Sequence, residues 1–333
     1  MKRKIFALLL AGCMLITGCG SDDAAVTTVM TSNDEANVSE TDESLDITSD
    51  EVTFTDDLER SVTVDQPKRV AALLGSFAQI WMLSGGEVIA TADDAWDDLS
   101  LNLSENTVNL GNTKQLSLEQ LLAADPDFII ASTNTRQNVE WQETLDAAGI
   151  PTAYFDISDF DDYLRLLSIC TDITGRKDLY EQNGTEVAKQ IDDVIDQSKE
   201  RLEDEEAPTV LSMVASSSNI FAKNSEGNVL GEMLKSLGCV NIADSDSMML
   251  ENLSIEHIIE SDPDYIFFVQ RGDDTEGMKE HVQRTLMEQP AWAELTAVKN
   301  GRVYFMEKNL YNLKPNHRWG EAYQGLENIL AGK

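Results

Sequence analysis

Two arginines follow apolar runs in two related parts of the chain. Arg136 comes shortly after the run that ends at Ser132, and Arg271 follows the run that ends at Val269. A guanidinium group is planar and presents parallel N–H donors, which suit the oxygens of carboxylates, catecholates and phosphates. We therefore predict that the two side chains face each other across a cleft and bind an anionic ligand. The alternative interpretation is that both are surface arginines without a ligand.

Other candidate binding residues follow the ends of predicted strands. In open α/β sheets, ligands bind beyond the carboxyl ends of the strands. This rule selects five further residues, which are Ser76, Trp96, Ser217, Tyr311 and Arg318. The polar side chains would supply hydrogen bonds, and the aromatic rings would supply apolar walls for a small molecule.

The chain lacks the residue patterns of common enzyme and metal sites. No GxSxG, HExxH, P-loop or GxGxxG sequence is present, so neither a nucleophile with its base nor a phosphate cradle is indicated. The three histidines, His257, His281 and His317, fall on separate predicted elements, whereas a bare metal ion needs several ligands together. We predict a protein that is not an enzyme and has no cofactor or metal ion of its own.

The balance of charges restricts the partners of the protein. There are 60 acidic and 25 basic residues, and the formal net charge is −35. Such a surface repels nucleic acid and anionic lipid headgroups. Attachment to a membrane should therefore be covalent rather than electrostatic.

The N-terminus is typical of a targeting segment. Three basic residues precede an apolar run over residues 5–16, which as a helix would span about 18 Å, too short for a hydrocarbon core of roughly 30 Å. Small residues then precede Cys19, as at lipoprotein cleavage sites. We predict a signal peptide over residues 1–18, lipidation of Cys19, and an acidic flexible tether over residues 19–51. An ordinary secretory signal is the alternative.

Strands and helices alternate through the rest of the chain after an opening hairpin. This pattern predicts an α/β fold with two Rossmann-like lobes, whose central, mostly parallel sheets are joined by one long helix. We place the N-terminal lobe at residues 52–176, the linking helix at 177–206 and the C-terminal lobe at 207–333. Cys170 and Cys239 fall in different lobes, and we expect free thiols.

An internal repeat indicates that the lobes are related. The segment LSLEQLLAADPDFII at residues 116–130 returns 137 residues later as LSIEHIIESDPDYIF. Each copy predicts a serine N-cap, a short helix, an Asp-Pro turn and a buried strand. Glu119 and Glu256 hold equivalent places in the two helices. They either stabilise the helix starts through the dipole or present one acid per lobe to a two-fold symmetric partner.

These features together resemble the ABC-importer binding proteins for iron-siderophores, cobalamin and haem. The paired Leu-Ser-x-Glu and Asp-Pro-Asp segments carry most of the likeness, which runs from residue 52 to the C-terminus and includes the stretch KPNHRW at residues 314–319. The resemblance implies a shallow cleft with limited hinge motion, and docking of Glu119 and Glu256 on arginines of an ABC permease dimer. We expect a lipid-anchored, extracytoplasmic monomer.

The resemblance leaves the ligand open. The arginines favour a metal chelate of anionic character, with a ferric siderophore as the first choice and a corrinoid as the second. Haem, with His317 or a methionine as its axial ligand, is a further possibility. A surface adhesin or sensor on the same fold is the alternative from another functional class.

Lipidation at Cys19 is directly testable. We expect the Cys19→Ala protein to leave the membrane fraction and to become soluble, because the thiol that accepts the lipid is missing. Cell fractionation followed by immunoblotting measures this. Unchanged retention of the variant in membranes would rule out Cys19 as the anchor.

Overall fold

The computed structural model describes residues 51–251 and 253–333, and the predicted signal peptide, Cys19 and nearly all of the tether lie outside them. The described part opens with the predicted hairpin, whose antiparallel strands are β1 (Glu51–Thr55) and β2 (Ser61–Asp65). Alternate residues of β2 are buried, as expected when one face of a hairpin packs on a core. Among the helices in this part of the chain, none is long and apolar enough to cross a lipid bilayer.

The first sheet has five parallel strands in the spatial order β5-β4-β3-β6-β7. Its strands are β3 (Val70–Ala72), β4 (Val88–Thr91), β5 (Val108–Asn109), β6 (Phe128–Ser132) and β7 (Thr152–Phe155). The helices between them are α1 (Gly75–Leu83), α2 (Asp94–Asp97), α3 (Leu118–Ala123), α4 (Arg136–Glu140) and α5 (Gln142–Ala147). All residues of β3, β6 and β7 are buried, since helices cover both faces of a parallel sheet. The strand order is that of Rossmann-like sheets.

One helical stretch leads from the first sheet to the second. α6 (Phe160–Thr174) ends at Gly175, whose φ of 71° is a left-handed conformation that glycine adopts without strain. The chain continues through α7 (Lys177–Tyr180), a π-helical turn (Glu181–Thr185) and α8 (Glu186–Leu202). The predicted linking helix is therefore present, and it ends at Leu202.

The second sheet follows a similar plan. Its strands are β8 (Thr209–Ala215), β9 (Ile220–Lys223), β10 (Val240–Asn241), β11 (Tyr265–Gln270) and β12 (Val303–Met306). The order β10-β8-β11-β12 is parallel throughout, and β9 adds an antiparallel pairing to β8. The α-helices of this lobe are α9 (Val229–Ser236), α10 (Ser247–Glu251), α11 (Ile255–Ser261), α12 (Thr275–Val282), α13 (Thr296–Lys299), α14 (Lys308–Tyr311) and α15 (Trp319–Leu330). The predicted α/β class with two mostly parallel sheets is confirmed.

The linking helix lies against a core that both lobes share. Val187, Ile191 and Val194 recur at helical spacing on α8 and are buried. The cluster that they join contains Phe77 from the first lobe and Phe267 from the second. Because burial of each such side chain contributes about 1.5–3 kcal/mol, this shared core is a major part of what holds the lobes together.

The duplicated segments begin their helices in the same way. Ser117 precedes α3 and accepts a hydrogen bond from the N–H of Gln120 at 3.2 Å. Ser254 precedes α11 and accepts one from the N–H of His257 at 3.3 Å. Each serine satisfies a backbone donor that the helix leaves without a partner, as predicted for an N-cap.

The second aspartate of the repeated Asp-Pro-Asp motif has a structural role. The carboxylate of Asp127 accepts hydrogen bonds from the backbone N–H groups of Lys68 and Arg69, both at 2.8 Å. The carboxylate of Asp264 likewise accepts from the N–H and the hydroxyl of Thr209, at 2.9 and 2.8 Å. In each lobe this aspartate fixes the start of one central strand beside the start of its neighbour.

The two cysteines of the described chain are free and buried, as expected. Burial raises the pKa of the Cys239 thiol to about 12 and raises that of Cys170 as well. Both groups are therefore protonated at neutral pH and are poor nucleophiles.

A buried ion pair joins α8 to the last helix. Arg201 donates from Nε and Nη2 to the two carboxylate oxygens of Glu327, at 2.9 and 3.1 Å. The side chains are 10% and 3% exposed. Arg201 also contacts Glu205 at 3.9 Å, but that carboxylate is 62% exposed. The bidentate geometry and the burial make Glu327 the partner on which the guanidinium depends.

We expect Glu327→Gln to lower the free energy of unfolding by about 3 kcal/mol, because it leaves a buried guanidinium without a counter-charge. The matched control, Glu205→Gln, should change it by less than about 1 kcal/mol, the range of an exposed pair. Urea unfolding followed by circular dichroism measures both. Equal losses in the two variants would contradict the importance of the buried pair.

Candidate functional site

A cleft lies where the carboxyl ends of the two sheets meet. Segments that follow the strands β3 to β7 form one wall. The other wall consists of parts of β8, β9 and α9 and of the segments that follow β11 and β12. The large compartment, of about 730 Å³, is lined by five aspartates. The small compartment, of about 330 Å³, is lined by Asp156 and Lys223. The two compartments share Arg271, Asn312 and Lys314, and cavities of this size accommodate small molecules.

Polar contacts tie the lobes together beside the cleft. The ammonium of Lys308 lies 2.7 Å from a carboxylate oxygen of Asp98 in the first lobe and 2.8 Å from one of Asp273 in the second. The side-chain amide of Asn316 donates to the carbonyl of Ser76 at 3.0 Å. Lys308 and Asn316 both belong to the segment between β12 and α15, so this segment links the second lobe to the first.

Four cations of the cleft have no ion-pair partner among residues 51–251 and 253–333. These are Lys114, Lys223, Arg271 and Lys314. Most of the other described lysines and arginines do pair with a carboxylate. In a chain with 60 acidic and 25 basic residues, cations left unpaired at a cleft favour an anionic ligand.

Lys314 is the most buried of these four cations. Burial lowers the pKa of its ammonium, and the carboxylates of Asp156 and Asp94 partly offset this effect. These two aspartates line the small and the large compartment respectively. Because a desolvated ammonium without a partner is unfavourable, an acceptor provided by a ligand would stabilise Lys314.

The large compartment has an acidic wall. Burial raises the pKa of Asp94 to about 6, although the backbone N–H of Gly75 donates to its carboxylate at 2.9 Å. The close approach of Gly75 to this segment is required by packing, since a Cβ at Gly75 would lie 2.6 Å from the backbone nitrogen of Ala95. α1 therefore begins directly against α2, and the aspartates of α2 face the cleft.

Three of the predicted binding residues line the cleft. Ser76 and Arg271 line the large compartment, and Arg271 and Tyr311 line the small one. Tyr311 is buried, and its hydroxyl donates to the carbonyl of Ala322 at 3.1 Å. Burial raises the pKa of this phenol to about 12, so Tyr311 presents a neutral ring to the cavity.

The other four predicted binding residues line neither compartment: Trp96, Arg136, Ser217 and Arg318. The side chain of Arg136 is 91% exposed, and its Nε lies 2.7 Å from Glu140 one turn along α4. Arg318 makes two hydrogen bonds to Glu321, at 2.7 and 2.8 Å. The geometry thus does not support our expectation that Arg136 faces Arg271, because a nearer carboxylate on its own helix holds its guanidinium.

Lys223 and Lys314 were not among the predicted binding residues. Lys223 ends β9, which is antiparallel to β8, and the rule for the carboxyl ends of parallel strands does not reach it. Lys314 lies in the segment after β12, to which that rule had already pointed through Tyr311. The position of Lys314 after β12 could therefore have identified it as a candidate binding residue. Its partial burial could not be predicted from the sequence.

Glu119 and Glu256 lie in the first turns of α3 and α11, and both are exposed. Neither carboxylate forms an ion pair with a residue that the structure describes. Each carboxylate is therefore available to a cation on another molecule. The two occupy equivalent helix starts in the two lobes.

Comparison with known proteins agrees with this architecture. Residues 70–310 match the sequence model of the periplasmic binding protein family, and the chain belongs to that family. The family consists of substrate-binding proteins of ABC transporters, so the prediction that the protein is not an enzyme is confirmed.

Individual relatives cover most of the chain. The Fe(3+)-citrate-binding protein YfmC of Bacillus subtilis is 26% identical over 315 residues, covering 92% of this chain and 90% of that protein. The putative ABC transporter substrate-binding lipoprotein YhfQ of the same organism is 22% identical over 280 residues, covering 79% and 83%. The crystal structure of Staphylococcus aureus SirA complexed with staphyloferrin B has a TM-score of 0.66 at 18% identity, covering 84% of this chain and 98% of that one. A likeness at this level of identity shows a common fold.

Proposed function

We propose that this protein is the lipid-anchored, extracytoplasmic substrate-binding protein of an ABC importer and that it carries a ferric siderophore in the cleft. The proposal is based on the unpaired cations that line the compartments, above all Lys223, Arg271 and Lys314. The oxygens of an anionic ferric chelate would supply the partners that these cations lack. The ligands named for YfmC and SirA support this chemical class.

The donor groups of the cleft favour a siderophore over haem. None of the three histidines lines either compartment, whereas haem iron in proteins is held by an axial histidine, cysteine, methionine or tyrosine. The hydroxyl of Tyr311 is already bonded to a backbone carbonyl, and Met213 is a fully buried residue of β8. A corrin ring, like haem, would require broad apolar walls, and charged side chains interrupt the walls of the large compartment.

A thermal-shift screen tests the ligand class. We expect ferric citrate or ferric siderophores to raise the melting temperature, since a ligand that binds only the folded state at 100 times its Kd stabilises it by about 2.7 kcal/mol. Cobalamin, cobinamide and haemin should have little effect. A rise with one of these three and with no ferric chelate would refute the proposal.

We expect Arg271→Ala to weaken binding of the ferric chelate by about 1.5–3 kcal/mol, roughly 10- to 150-fold in Kd. The reason is that Arg271 lines both compartments without a partner of its own. Arg136→Ala is the matched control, because its guanidinium is exposed and bound to Glu140, and we expect less than a twofold change. Isothermal titration calorimetry measures both, and an unaffected Arg271→Ala protein would remove Arg271 from the site.

We further propose that Glu119 and Glu256 dock the protein on the permease. They occupy equivalent exposed places in the two lobes, so a partner with two-fold symmetry could bind both in the same way. A carboxylate at the rim of an interface steers association and makes it sensitive to salt.

The double change Glu119→Ala and Glu256→Ala should leave ligand affinity intact and sharply reduce uptake of the ferric chelate by cells. Binding to the permease in nanodiscs should also lose much of its salt dependence. Glu143→Ala with Glu280→Ala is a suitable control, since both glutamates are exposed, one in each lobe. Normal uptake by the first double variant would leave these two carboxylates only the role of stabilising helix starts.

A further inference from the structure

The two compartments of the cleft differ in charge. Besides the shared Arg271 and Lys314, the small compartment contains Lys223 and a single carboxylate, Asp156. That carboxylate already accepts a hydrogen bond from the side-chain amide of Asn134. The small compartment is therefore basic, and its remaining lining mixes apolar side chains with serine and asparagine residues.

The large compartment carries charges of both signs, with four of its five aspartates in and beside α2. Four cations also line it, Lys114, Arg271, Lys308 and Lys314, and of these only Lys308 forms ion pairs, with Asp98 and Asp273. Asp93 and Asp97 pair with no described cation. Burial and the nearby Asp97 raise the pKa of Asp93, which reflects the cost of gathering negative charge there. A cationic or hydrogen-bond-donating group would relieve that cost.

Lys314 marks the boundary between the two regions. It lines both compartments, it is partly buried, and its ammonium has no hydrogen bond or ion pair within the part of the chain that the structure describes. Asp94 acts on it from the side of the large compartment and Asp156 from the side of the small one. An acceptor from the ligand would stabilise a partly buried ammonium in this position.

We propose that the ligand is a zwitterionic ferric chelate, with a carboxylate-bearing end that binds Lys223, Arg271 and Lys314 and an amine-bearing end that faces Asp93 and Asp97. This inference rests on the proposed function, because it specifies which kind of ferric siderophore the cleft takes. A wholly anionic ferric complex would satisfy the basic compartment but would set negative charge against the two unpaired aspartates. Amine-bearing carboxylate siderophores satisfy both.

Two synthetic chelators isolate the charge at the second end. One is citrate coupled through an amide to a 2-aminoethyl arm, which ends in an ammonium. The other is citrate coupled to a propyl arm, which has nearly the same size and no charge. Titration calorimetry with their ferric complexes, and with ferric citrate, gives the preference of the protein for the ammonium directly.

We expect the protein to bind the aminoethyl complex at least about tenfold more tightly than the propyl complex, the scale of one charged hydrogen bond. The double variant Asp93→Asn and Asp97→Asn should bring this ratio close to one. Asp97→Asn alone, at an exposed position, should reduce the ratio even if the double variant is unstable. Asp192→Asn with Asp204→Asn changes the net charge equally at exposed sites far along the sequence and should preserve the ratio.

The three ferric complexes test the zwitterionic ligand separately from the ferric chelate class. If the protein binds ferric citrate and both amides with similar affinity, or prefers the propyl complex, the zwitterionic ligand is refuted while the ferric chelate stands. A preference that survives Asp93→Asn with Asp97→Asn would also refute it, because the ammonium would then bind elsewhere. If no ferric complex binds at all, both proposals fall.

Discussion

The cleft depends on the apolar core that both lobes share along α8. Because Val187, Ile191 and Val194 pack in one cluster with side chains from both sheets, the sheets are held with their carboxyl ends towards each other. The segments that follow the strands then converge on the same space. The buried pair between Arg201 and Glu327 adds a charged tie between α8 and α15.

Positive charge is scarce in this chain, and its placement is informative. With 60 acidic residues against 25 basic ones, an arginine or lysine usually has a carboxylate nearby, as Arg136 and Arg318 do. Lys308 is also paired, and it joins the lobes through Asp98 and Asp273. The cations that stay unpaired in the cleft are therefore the ones suited to a ligand. Their surroundings carry both charges, with Lys223 beside the small compartment and the aspartates of α2 beside the large one.

The internal repeat shows which residues have the same structural role in both lobes and which differ between the lobes. The serine caps and the aspartates that fix neighbouring strands, Asp127 and Asp264, serve local needs that are the same in both lobes. The loops that follow the strands line the cleft, and their sequences differ between the two lobes. The result is a pair of similar scaffolds, each with an exposed glutamate on its outside, around a site without internal symmetry.

The α/β class, the linking helix and the repeated segments could be predicted from the residues alone, because strand and helix periodicity, caps and Asp-Pro turns are local signals. The sequence also led to Ser76, Arg271 and Tyr311 through the rule for strand ends. The difference between Arg271 and Arg136 became visible in the folded chain, since which carboxylate lies nearest a guanidinium depends on how each loop turns into the next helix. The environment of Lys314 likewise arises in three dimensions: its partial burial, its missing partner and its place between two compartments depend on segments far apart in the chain.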